Sequence, residues 1–254
     1  MNDLRCEYHN IYYHENDKTS LSLLEDYYKT VFTEAFPKSD TRELLENMID
    51  YLKKKKNGWY GKNNYHIIVG KTEESIVSGA ICDYFAETNT GALEYIAVNY
   101  LKRGRGYARE IFLKAVDTLK KDAIKAGYSD LDWVIGEIEH PAKLMENADK
   151  SYLYAWDKVG FRVVDWPHYI QPAISKKNDD VDTLMLIAYK PQGYSSNDEM
   201  NVIKPSIIEG FIKDYARFAL RIEKPESNSA VCKMLSQLSA LDQPIKLLPF
   251  VDII

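Results

Sequence analysis

The chain has 254 residues, enough for one sizeable hydrophobic core or one core with a small satellite domain. An apolar content of 45%, a charged content of 28% and a net charge of −5 fit a soluble globular protein and argue against a nucleic-acid binder, which would present a basic face. Cys6, Cys82 and Cys232 lie far apart without CxxC or Cys/His spacing, so no disulfide framework or zinc site is expected, and a reducing cytoplasm is the predicted compartment. The N-terminal MNDLRCEYHN has no apolar signal core and no apolar run reaches transmembrane length, so no membrane association is expected.

In chain order, residues 4–13 carry Leu4, Tyr8, Ile11, Tyr12 and Tyr13, an opening strand. From Ser20, Leu21, Leu24, Tyr27, Tyr28, Val31 and Phe32 recur at helical spacing up to Pro37. A second helix is predicted after Asp40, with Glu43 closing a capping box and Leu44, Leu45, Met48, Ile49 and Leu52 on its buried face. It ends in Lys53–Lys56 before Asn57-Gly58, where cations suit the C-terminal end of the helix dipole. Three strands follow, His66–Val69, Ile76–Phe85 and Leu93–Val98, joined by short turns that favour antiparallel hairpins. Next come a long helix from about Gly104 to Ala126, a β run at Leu131–Ile138 interrupted by Gly136, and a short helix at Asp149–Val159 stopped by Gly160. Phe161–Val164 and Thr183–Tyr189 read as closing strands. Pro191–Asp198 is the best linker, and beyond it two amphipathic helices run through Ile208–Phe218 and Val231–Leu241.

The stretch that carries chemistry is Leu93–Ala126, a strand, a basic loop and a glycine-rich turn opening a helix. A helix N-terminus gathers unpaired N–H groups and the positive end of the dipole, so this turn is built to hold an anion such as a phosphate. Gly104 and Gly106 lack a Cβ and let backbone approach a pyrophosphate, while Lys102, Arg103 and Arg105 supply charge. A dinucleotide-binding turn would need a third glycine, where Arg109 stands, and a parallel lead-in rather than hairpins.

The run Arg103-Gly104-Arg105-Gly106-Tyr107-Ala108, placed shortly after a strand ending in Val98, resembles the R/Q-x-x-G-x-G/A motif of the GNAT acyltransferase superfamily. Tyr154-Ala155-Trp156-Asp157-Lys158-Val159-Gly160-Phe161 is similar to that family's short helix ending in Gly-Phe. The resemblance covers roughly residues 1–190 and implies an α+β fold with a mixed, mostly antiparallel central sheet flanked by helices. Residues 191–254 would form a linker and a C-terminal helical extension.

The resemblance further implies acetyl-CoA, or another acyl-CoA, as cosubstrate and no metal. Its pyrophosphate would sit on Arg103, Gly104, Arg105, Gly106, Tyr107 and Ala108, and its thioester carbonyl would be polarised by a backbone N–H among Ile96, Ala97 and Val98. The acceptor, a small-molecule or peptide amine, must lose a proton before it can attack. Glu94, on the strand before the turn, is the base candidate; a plain solvent-facing strand residue is the competing reading. Glu137, Glu139 and His168 are candidate acceptor-binding residues, and Glu137, Glu139 and His140 match no familiar metal spacing. Where relatives often place a tyrosine acid, this chain has Trp156, leaving Tyr152 and Tyr154 as the available phenols. The expected activity is N-acyl transfer. The alternative is a non-catalytic acyl-CoA-binding module whose tail mediates an interaction, with the tail helices packing a homodimer or covering the cleft as a third use.

Overall fold

The computed structural model describes residues 6–38, 42–139, 151–172, 182–197 and 200–252, with only the backbone of residues 151, 152, 182 and 183. Leu4, Asp40, His140, Asp149 and Asp198, named above, lie outside the described residues. The chain divides into two compact units. The first comprises residues 1–84 and 93–130; the second comprises Phe85–Ala92 and residues 131–254. The 190/191 boundary expected from the sequence falls inside the second unit.

The first unit opens with β1 (Glu7–Asn10), followed by α1 (Thr19–Tyr27), a π-helical turn (Tyr28–Phe32) and the short α2 (Thr33–Ala35). Then come α3 (Leu45–Lys56), β2 (Asn64–Lys71), β3 (Ile76–Phe85) and β4 (Thr90–Val98), whose residues 93–98 belong here. A 3₁₀ turn (Tyr100–Lys102) leads to α4 (Tyr107–Ala126). The strands lie in the order β1-β2-β3-β4, with β1 and β3 both antiparallel to β2. Every residue of β3 is buried, so both faces of this inner strand are covered. Gly79 is required by packing, since a Cβ there would run into the ring of Tyr27 on α1. Phe32 extends this contact, edge-on to Tyr95 with ring centroids 5.1 Å apart.

Helix α3 starts later than the sequence predicts. Glu43 lies before the N-cap residue Leu44, and its carboxylate accepts from Leu44 N, Asn47 Nδ2 and the Tyr51 hydroxyl instead of closing a capping box. The apolar face is Met48, Tyr51 and Leu52, while Leu44 is 41% exposed. Of the four lysines at its end, Lys55 turns inward and donates to Tyr65 O at 2.6 Å; Lys54 and Lys56 pair at the surface with Asp50 and Glu15.

The second unit comprises β5 (Trp133–Glu139), α5 (Ser151–Val159), β6 (Phe161–Val164), β7 (Ile170–Gln171), β8 (Asp182–Tyr189), β9 (Val202–Ile203), α6 (Pro205–Phe218), α7 (Ser229–Ser239) and β10 (Ile245–Leu248). The strands run β5-β8-β6-β10-β9, with β7 beside β8, and the pairings described are antiparallel. Gly136 does not interrupt β5; it pairs with Ile187 in unbroken register. The C-terminal segment contributes strands as well as helices, because β10 pairs with β6. Its helix α6 passes so close to the Phe85–Ala92 tip that a Cβ at Gly210 would overlap the Thr88 methyl. The buried face of α6, Ile208, Phe211, Ile212, Tyr215 and Ala216, joins one apolar cluster with Phe85 and Leu186. No described helix is long and apolar enough to cross a membrane.

Candidate active site

The glycine-rich turn lies wholly in the first unit. Asn99 accepts from Leu101 N at 3.0 Å and closes the 3₁₀ turn, and Lys102 is 3.6 Å from Glu74. Gly104 and Gly106 have φ of 76° and 88°, a region costly for any residue with a Cβ. That backbone stops the helix from starting at Gly104; α4 begins at Tyr107 with Gly106 as its N-cap. Glycine offers no capping side chain, so the first-turn N–H groups of Tyr107, Ala108 and Arg109 are left for an external acceptor. Nothing lies within 4 Å of the place a Cβ would occupy on either glycine. Arg103, Arg105 and Arg109 are exposed around the turn, Arg103 stacked over the Tyr100 ring at 5.7 Å. Open space, free N–H groups and a basic rim fit a pyrophosphate. Ala108 is exposed on this rim rather than on the buried face of α4, which starts at Ile111.

On strand β4, Thr90–Leu93 and Ala97 are buried, and Glu94, Tyr95, Ile96 and Val98 are half-buried. Glu94 lies near two fully buried groups of the first unit. Burial, and then the negative charge of Glu94, pushes the Tyr65 phenol well above its ordinary pKa. Burial also raises the Cys82 thiol, assisted by the charges of Asp83 and Glu94, so this cysteine is held as an inert thiol.

In the second unit, Glu137 on β5 is half-buried and gathers three donors. The Tyr169 hydroxyl donates to Oε2 at 2.5 Å, while Gln171 Nε2 and the Tyr215 hydroxyl each donate to Oε1 at 2.8 Å. Burial pushes the Glu137 carboxyl up, and the two phenols pull it partly back. Tyr169 and Tyr215 were not found by sequence reasoning. A hydroxyl inside an otherwise apolar helical stripe was the available signal for Tyr215, because a buried phenol needs a partner. Glu139 lies two residues along β5, exposed, and His168 is exposed beside Trp166. Neither touches the Glu137 cluster through a described hydrogen bond. Tyr154 is 53% exposed on α5, Trp156 packs edge-on against Phe161, and the Tyr152 side chain lies outside the described residues. Among the described residues no group of three or more His, Cys, Asp or Glu could hold a metal.

A profile of the acetyltransferase (GNAT) family matches residues 22–134. The fold is similar to that of a GNAT-family protein from Bacteroides thetaiotaomicron, with 17% identity, a TM-score of 0.59, and coverage of 85% of this chain and 99% of that one. More distant similarity extends to the ribosomal-protein-S18-alanine N-acetyltransferase of Escherichia coli (11% identity, TM-score 0.45, 75% and 98% coverage). It also extends to a Bacillus subtilis acetyltransferase in complex with CoA (14% identity, TM-score 0.41, 72% and 99% coverage). A comparison with curated proteins returns no match. The motif, the fold and the family profile agree: residues 22–134 match the acetyltransferase (GNAT) family, and the fold is similar to that of a GNAT-family protein.

Proposed function

We propose that the protein moves an acetyl or other short acyl group from acyl-CoA to the amine of a small molecule or peptide. The observation that carries this reading is the Arg103–Ala108 turn, whose positive-φ glycines leave the α4 N-terminus open to a pyrophosphate. Acyl-CoA, when bound, supplies the activated thioester. The residues of the chain then have three tasks. A backbone N–H among Ile96, Ala97 and Val98 polarises the carbonyl as negative charge develops on its oxygen. Glu94 takes a proton from the acceptor ammonium, so that the neutral nitrogen bonds to the carbonyl carbon as the C–S bond breaks. The departing thiolate takes a proton from a phenol of α5, Tyr152 or Tyr154, or from solvent, and the acylated nitrogen gives up its second proton to the phenolate so formed or to solvent. Glu137, Glu139 and His168 serve the acceptor. A cytoplasmic setting belongs to the same reading, supported by three cysteines that are all free.

The test is release of free thiol from acetyl-CoA over a panel of amines. Glu94→Gln is expected to lower kcat by about 10²–10⁴-fold with coenzyme A affinity unchanged. Arg103→Ala is expected to weaken coenzyme A binding about tenfold or more by removing a charge-assisted phosphate contact. Coenzyme A binding without turnover of any amine would replace the transferase with a non-catalytic acyl-CoA-binding module.

A further inference from the structure

A carboxylate offers about four lone-pair sites for hydrogen bonds. At Glu137 three are occupied: two on Oε1, by Gln171 and Tyr215, and one on Oε2, by Tyr169. All three donors are neutral, so they orient the charge without cancelling it, and among the described residues no Lys, Arg or His pairs with Glu137. Among the described residues, the fourth site, on Oε2, has no donor. The two phenols are 1% and 6% exposed, whereas Glu137 itself is half-buried and therefore reachable. The cross-strand partner is the apolar Leu186, and the surrounding cluster is apolar as well, so an ammonium arriving here would meet a fixed carboxylate in poorly screening surroundings.

We propose that Glu137 binds a cationic group of the acceptor, and that Tyr215, from the C-terminal segment, is a positioning residue for it together with Tyr169 and Gln171. The substrate class is an amine carrying a second ammonium or guanidinium besides the one acylated. This rests on the acyl-transfer reading for its acceptor and adds to it that residues beyond 190 help select the substrate. A purely structural staple, tying β7 and α6 to β5, would use the same three hydrogen bonds, so the test must separate recognition from folding.

The full chain is titrated calorimetrically with 1,4-diaminobutane and with n-butylamine, with and without coenzyme A, so that no turnover intervenes. The diamine is expected to bind about tenfold more tightly, the margin of a charge-assisted hydrogen bond, and Glu137→Gln is expected to erase that margin. Tyr215→Phe keeps its ring stacked on Phe211, 5.4 Å away, so the fold is retained. The titratable groups facing Glu137 are Tyr169 and Tyr215, both of which hold its carboxyl down. Losing the Tyr215 donor therefore moves the acid limb of diamine binding to higher pH, a readout that a packing role would leave in place. Equal affinities for diamine and monoamine, or a margin that survives Glu137→Gln, would overturn the proposal. Thiol release without diamine preference would sink this proposal and leave acyl transfer standing. Diamine binding without thiol release on any amine would do the reverse.

Discussion

Asp122 in the first unit and Glu137 in the second are both carboxylates drawn out of water, and they are treated differently. Asp122, on the inner face of α4, is 5% exposed. Its Oδ2 meets His66 Nε2 at 2.5 Å, and its Oδ1 accepts from Asn64 at 2.9 Å. His66 Nδ1 in turn faces Asn10 Nδ2 at 2.9 Å and Lys55 Nζ at 3.4 Å. A lysine ammonium can only donate, so Nδ1 is an acceptor and the proton of a neutral imidazole sits on Nε2, directed at Asp122. The network runs from the half-buried cation Lys55 through a neutral ring to an anion, and the His66 and Asp122 side chains are buried. Among the described residues Glu137 has neutral donors only, and it is half-buried. A buried anion paired with cationic and neutral donors holds a fold together; an oriented carboxylate with a spare lone pair is suited to a ligand.

The sharpest way to break this contrast is Asp122→Ala. It strands His66 Nε2–H and Asn64 in the interior and is expected to cost about 3–5 kcal/mol, read as a lower denaturation midpoint. If the loss were under about 1 kcal/mol, typical of an ordinary net hydrogen bond, the network would not be structural.

Acid titration of stability sharpens the same comparison. Burial lowers the His66 pKa, so the unfolded chain takes up that proton first, and stability falls as pH drops below the ordinary histidine value. For Asp122, burial pushes upward but hydrogen bonds from His66 and Asn64 win, and its lowered carboxyl withdraws stability further as pH falls through its folded value. Glu137 has the opposite sign: its carboxyl is raised in the folded state, so protonating it as pH falls relieves a cost. Urea unfolding of His66→Gln, whose amide can still donate to Asp122, should therefore lose less stability between neutral and mildly acidic pH than the parent. The most one proton can contribute is about 1.4 kcal/mol per pH unit. An unchanged slope would show that His66 is not the group responsible.

The two halves of the chemistry also differed in how far the sequence disclosed them. The glycine turn is six consecutive residues with a backbone geometry that glycine alone accepts easily, so the strand–turn–helix around Arg103–Ala108 was legible directly, and the GNAT-like fold with it. Glu137 was visible as a residue, but its partners are 32, 34 and 78 positions away, and no local spacing announces them. Strands β9 and β10 were missed because two and four residues are too short to show a period. The capping box at Glu43 failed for a related reason. The local pattern was present, but burial beside Tyr51 and Asn47 offered that carboxylate better partners. Asp122 was hidden in the same way: it sits on the buried face of α4 among Leu119 and Ala123, and its partners Asn64 and His66 are more than fifty positions away.

The smallest expected effect is the most diagnostic. Glu137→Gln should change stability by less than about 1 kcal/mol, against the several lost at Asp122. An amide oxygen in place of Oε1 still accepts from Gln171 and Tyr215. The amide nitrogen in place of Oε2 can donate to the Tyr169 oxygen, because a phenol hydroxyl turns from donor to acceptor. Replacing the charge also removes a desolvation cost that burial imposes on the carboxylate. Measured denaturation midpoints should therefore nearly coincide for this variant and its parent. If Glu137→Gln unfolds the protein as readily as Asp122→Ala does, the carboxylate is a staple and the two sites are alike. Should it leave stability in place while abolishing the preference for a dicationic amine, the negative charge at 137 serves the ligand and not the fold.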